Sequence, residues 1–137
     1  MNIMVIDGQG GGIGKSVIEK LNAVRNAEIV ALGTNPHAAR QMEKAGFCKS
    51  YCGEASIIEN IKKADIIIGA IGIIAPGAMM GEITPGIALA VAGSSAKKVL
   101  IPVNKCNLII AGAERNHLTD YIRNAVDVAK SLCTPET

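Results

Sequence analysis

The segment Asp7-Gly8-Gln9-Gly10-Gly11-Gly12-Ile13-Gly14-Lys15-Ser16 constrains this chain more than any other. Five of the seven positions from Gly8 to Gly14 are glycine. The segment follows Ile3-Met4-Val5-Ile6, an uninterrupted apolar run of the kind shown by a strand buried on both faces. Beyond it, Val17, Ile18, Leu21 and Val24 recur at helical spacing, predicting a helix from within Gly12–Gly14 to about Arg25. Glycines let the main chain turn sharply and approach a ligand with no Cβ in the way. The helix points its unsatisfied N–H groups and positive dipole end at the loop. Gly8, Gln9, Gly10, Gly11, Gly12, Ile13 and Gly14 are therefore expected to form an anion site suited to a pyrophosphate. A loop plugged by the protein's own side chains, with no room for an anion, would defeat that expectation. Asp7 is the odd member: its carboxylate either turns away to bind loop N–H groups or holds a metal ion.

Short apolar runs alternate with helix-length segments along the rest of the chain. Strands are expected at Ile29–Leu32, Phe47–Cys52, Ile66–Ile71, Val99–Ile101 and Leu108–Ala111. Asn35-Pro36 has the form of an N-cap followed by proline in the first turn, opening a helix that ends near Gly46. Ser56–Lys63 is a short helix. Pro85 starts another, running to about Ser95. The last begins at Asn116 or Thr119, with Leu118, Ile122, Val126 and Ala129 as its buried stripe. This alternation predicts one α/β domain over residues 1–137: a doubly wound, mostly parallel sheet with helices on both faces. The six residues Pro102–Asn107 are too few for a parallel crossover, so strand six is expected to run antiparallel at the edge. The expected order is 3-2-1-4-5-6, with a ligand crevice between strands one and four.

Composition excludes some partners. The formal charge is +2 with no basic block, and the aromatics are Phe47, Tyr51 and Tyr121 with no tryptophan, which argues against nucleic acid. The most apolar stretch, Ile66–Gly81, is shorter than a membrane span and contains Pro76 and four glycines. No basic region precedes an apolar stretch at Met1-Asn2-Ile3-Met4, so no signal peptide is expected and the reading is cytoplasmic. Cys48, Cys52, Cys106 and Cys133 form no CxxC pair, so no metal site is assigned.

Gly8-x-x-x-Gly12-Ile13-Gly14 resembles the GxxxGIG loop of short-chain dehydrogenase/reductases. That resemblance implies a Rossmann-like fold and a dinucleotide cofactor. It carries no catalysis: Tyr51 and Tyr121 are followed four residues later by Ala55 and Ala125, so the family's Tyr-x-x-x-Lys pair is absent. Gly11-Gly12-Ile13-Gly14-Lys15-Ser16 resembles the GGxGKS core of the variant phosphate loop in partition-type and nitrogenase-iron-protein-type ATPases. There Gln9 should be Gly and Gly10 should be Lys. The whole chain also resembles an uncharacterised family of short bacterial proteins with the same VIDGQGGGIG opening and a later segment like Ile101-Pro102-Val103-Asn104-Lys105-Cys106. That resemblance implies a complete small protein and no particular activity.

The end of strand two reads Leu32-Gly33-Thr34-Asn35, without the acid that bonds the ribose in NAD sites. Thr34, Asn35 and His37 could bond a 2′-phosphate that Arg40 neutralises, which favours NADP over NAD. Gly53-Glu54 lies where an adenine edge could rest. Gly72 would permit close approach to the nicotinamide ribose, and the loop Ile74–Glu82, with Met79 and Met80, could act as a lid. Asn104, Lys105 and Cys106 are the chemical candidates: Lys105 for an acidic ligand, Cys106 for a thiolate beside it. Three hypotheses follow. One is a small NADP- or NAD-binding protein, either a minimal oxidoreductase or a redox-state sensor. Another is a P-loop-like ATP-binding protein using Lys15 and Ser16 with magnesium. The third is a nucleotide-free scaffold that dimerises through the all-apolar helix Ile87–Ala92, which a second subunit or the sheet must cover.

Overall fold

A computed structural model describes residues 1–22, 24, 26–46, 48–103, 108–113 and 117–133. Five parallel strands are observed: β1 (Asn2–Asp7), β2 (Glu28–Gly33), β3 (Lys49–Cys52), β4 (Ile66–Ala70) and β5 (Lys97–Ile101). Their order is β3-β2-β1-β4-β5, and each neighbouring pair is parallel. The helices are α1 (Gly12–Leu21), α2 (Pro36–Gly46), α3 (Glu54–Ile61), α4 (Pro85–Ala92) and α5 (Leu118–Cys133), with a 3₁₀ turn at Ile71–Ile74.

Burial follows the two-residue period of the strands. Ile3 and Val5 of β1 and Ile66 and Ile68 of β4 join one core with Val17, Ile18 and Leu21 of α1, Met42 of α2 and Ile122, Val126 and Ala129 of α5. Met4, Ile6 and Ile67 point the other way, into a core with Ile57 and Ile61 of α3 and Ile87 and Val91 of α4. The central strands β1 and β4 are thus sandwiched and apolar, while the edge strand β3 (Lys-Ser-Tyr-Cys) is mostly exposed. The doubly wound expectation holds for these five strands. No helix among the described residues is long and apolar enough to cross a membrane.

The expected sixth, antiparallel strand at Leu108–Ala111 is not observed; among the described residues the sheet has five strands. Leu108 and Ile110 are only half-buried and Ile109 is 85% exposed, and the chain turns at once, with Ala113 N–H donating to the Ile110 carbonyl. Meanwhile α5 packs on the core beside β5, as Ile101 and Ile122 show. Helix α1 is also shorter than expected, because the Val24 N–H bonds back to the Leu21 carbonyl in a turn. The apolar helix α4 is covered on one side by the sheet, through Ile87, Ala88 and Val91, and leaves Leu89 75% exposed.

The cap at Asn35 is as expected: its Oδ1 accepts the Ala38 N–H at 2.8 Å. Thr84 does the same for α4, accepting the Ile87 N–H at 3.2 Å ahead of Pro85. Helix α2 lies very close to β2, because Gly33 has no side chain to hold it off. A Cβ there would stand 2.6 Å from the Ala39 nitrogen.

Candidate functional site

Crossovers diverge to opposite faces on either side of the β1–β4 pair, so the crevice at the carboxyl ends of these strands is the topological switch point. The glycine segment lies there. After Asp7 the chain makes a tight turn in which the Gly11 N–H bonds the Gly8 carbonyl at 2.9 Å. Gln9 and Gly11 adopt left-handed φ of 50° and 74°, and α1 begins at Gly12. At Gly11 glycine is required on both counts: the positive φ, and a Cβ that would meet the Ala38 carbonyl at 2.9 Å.

Much of the anion-binding capacity of this loop is engaged by the protein's own carboxylates. Asp7, 6% exposed, accepts the Gly8 N–H on Oδ1 and the Gly14 N–H on Oδ2, both at 2.8 Å. Of the two roles open to it, it takes the loop-binding one. Among the described residues no three His, Cys, Asp or Glu side chains gather as a metal site. Burial pushes the Asp7 carboxyl above its ordinary range; the amides of Gly14 and Gly8 pull it down without prevailing, and the nearby Glu82 adds to the rise.

Glu82 is the second carboxylate. One of its oxygens, Oε1, accepts three hydrogen bonds: from the Thr34 hydroxyl at 2.6 Å, the Asn35 amide at 2.7 Å and the Gln9 main-chain N–H at 3.0 Å. Partial burial alone would raise its pKa. The bonds from Thr34, Gln9 and Asn35 outweigh that and hold it below the usual value. Glu82 ends a compact turn in which Gly77 N–H bonds the Ile83 carbonyl and Ile83 N–H bonds the Ala78 carbonyl. The turn is pinned by the buried side chains of Ala78 and Ile83. Met79 and Met80 are both left-handed there, at φ of 57° and 55°, a conformation that costs of order 1 kcal/mol per residue.

Between the glycine loop and this turn lies a mainly apolar pocket. Asp7, Gln9 and Ile13 face Gly72, Met79 and Met80 across about 530 Å³ of space, part of it open to solvent. The enclosed part of that space is only about 90 Å³, below the roughly 300–1,000 Å³ of small-molecule sites, so a ligand here would lie largely in the open mouth. Among the described residues the N–H groups of Gly10 and Gly12 have no protein acceptor, and a Cβ on either would meet nothing within 4 Å. The loop is therefore partly plugged, with its outer amides open.

The remaining expected site residues are distributed as follows. Gly72 sits in the 3₁₀ turn and lines the pocket. Thr34 and Asn35 lie beside the glycine loop and outside the pocket lining, with their donors directed to Glu82. Arg40 and His37 are exposed on α2. Glu54, the adenine-edge candidate, accepts the Thr84 hydroxyl at 2.6 Å. Lys15 is exposed in the first turn of α1. Asn104, Lys105 and Cys106 lie outside the described residues. Glu82 is the residue that local sequence reading misses. It stands 48 positions from Thr34, and only the topology of the β4–α4 connection brings it to the end of β2.

The model of a family described as "Domain of unknown function (DUF3842)" matches residues 2–134. No curated protein matches. Among solved structures, the chain is similar to a dodecameric FMN-dependent UbiX-like decarboxylase from Escherichia coli O157:H7. Identity is 17%, coverage is 93% of this chain and 75% of that one, and the TM-score is 0.49. FMN, decarboxylation and the dodecamer are properties of that protein.

Proposed function

Because the chain belongs to the DUF3842 family, whose description assigns no activity, its function must be sought in the site itself, and we propose that it binds a phosphate-bearing nucleotide, with NAD(P) as the leading class. The observation that supports this is the pocket at the β1–β4 switch point, walled by the glycine loop and the Met79–Met80 turn. A phosphate would take the open N–H groups of Gly10 and Gly12 at the positive end of α1. An apolar ring would lie against Ile13, Met79 and Met80. Two carboxylates so near a pyrophosphate oppose it by charge. A minimal oxidoreductase and a redox-state sensor both begin with this binding step.

The test is titration of the purified protein with NADH, NADPH and Mg-ATP, read as thermal stabilisation. A ligand present at a hundredfold excess over its Kd stabilises the fold by about 2.7 kcal/mol. Stabilisation by either nicotinamide dinucleotide is the expected result. Stabilisation by Mg-ATP alone would overturn it in favour of a P-loop-like role for Lys15 and Ser16. No response to any of the three would leave the nucleotide-free scaffold.

A further inference from the structure

We infer that Glu82, delivered from the β4–α4 connection, is the residue that selects between dinucleotides: it reads a free ribose 2′-hydroxyl and excludes a 2′-phosphate. The inference rests on the nucleotide-binding reading and deepens it. In NAD sites an acid at the carboxyl end of the second strand bonds the ribose. Here β2 ends in Gly33-Thr34-Asn35 and supplies no acid of its own. The fold places one there from elsewhere.

The geometry suits a reader of hydroxyls. Oε1 is saturated by Thr34, Asn35 and Gln9, which fixes the carboxylate in place. Oε2 has no hydrogen bond among the described residues and is left to accept from a ligand. Asn35 is itself held by the Gln9 carbonyl at 3.1 Å and by the Ala38 N–H, so the anchor does not swing. A ribose diol can donate to a carboxylate oxygen, whereas a 2′-phosphate would meet like charge. Two of the donors that would have welcomed such a phosphate, Thr34 and Asn35, are already spent on Glu82.

The decisive comparison is the ratio of NADPH to NADH dissociation constants for the wild type, Glu82→Gln and Glu82→Ala. Calorimetry gives the constants, and a melt of each variant checks folding. A hydrogen bond to a charged group is worth enough to change affinity by roughly 10- to 100-fold. The wild type should therefore favour NADH by about tenfold or more, and both variants should bring the ratio to within about threefold of unity. Glu82→Gln keeps the size and one acceptor, so it covers the case in which Glu82→Ala fails to fold. An unchanged ratio in folded Glu82→Gln, or a wild type that prefers NADPH, would overturn the selector role while leaving nucleotide binding intact. Failure of the wild type to bind either dinucleotide would overturn both.

Discussion

Replacing Gly33 by alanine tests how closely the site depends on the seating of α2. An ideal Cβ at Gly33 would lie 2.6 Å from the Ala39 nitrogen and 2.9 Å from both the Cα and Cβ of Ala39. Ordinary contact begins at 3.4 Å, so the start of α2 must retreat by 3.4 − 2.6 = 0.8 Å. No flexible side-chain tip can absorb this, because the nearest atoms are backbone. Gly33 has no positive φ, so the cost is steric alone. Overpacking of this kind costs about 1–3 kcal/mol. At roughly 3–4 °C per kcal/mol for a domain of this size, Tm should fall by about 3–12 °C. The retreat also drags Asn35 from Glu82, so NADH affinity should fall with stability. Differential scanning calorimetry of Gly33→Ala beside Gly10→Ala, whose Cβ would meet nothing, makes the comparison. A Gly33→Ala protein melting within about 1 °C of the wild type would refute the reasoning.

Gly12→Val should keep the fold, since a Cβ there projects into open space, yet abolish dinucleotide binding by covering the loop; unchanged affinity would remove the glycine loop from the site. The Asp7 carboxyl holds its proton more tightly folded than unfolded, so its contribution to stability is complete below pH 3.8 and is lost as pH rises through the raised folded value. The stability of the wild type relative to Asp7→Asn, from urea unfolding over about pH 4 to 8, should therefore decline with rising pH; a flat difference would contradict it. Glu82 acts with the opposite sign. Its folded value lies below 4.5, so its contribution is present above that pH and is lost on acidification, a dependence that Glu82→Gln should abolish in the same unfolding series. Thr84→Ala removes the acceptor for the Ile87 N–H and should cost about 1 kcal/mol in the same assay.

The glycine loop, the buried strands β1 and β4 and the Asn35–Pro36 cap were legible in the chain because each rests on neighbours a few residues apart. Composition misled at Leu108–Ala111, where four apolar residues look like a strand but add none to the sheet and run straight into a turn. The end of α1 was overrun because Val24 continues the helical spacing of the buried stripe beyond the turn that breaks it. At the end of β2, local reading chose a phosphate for the donors of Thr34 and Asn35. The occupant is a glutamate that no window around β2 contains. Long-range polar contacts of this kind have no periodicity, and periodicity is what a single sequence offers.

The bond from the Gln9 main chain to Glu82 spans 73 positions, and it makes one amide a witness to the whole crevice. Its proton can exchange with solvent deuterium freely only when Glu82 releases it. The exchange rate at that single position therefore measures how often Glu82 lets go of the loop, and a ligand that holds Glu82 in place should slow it.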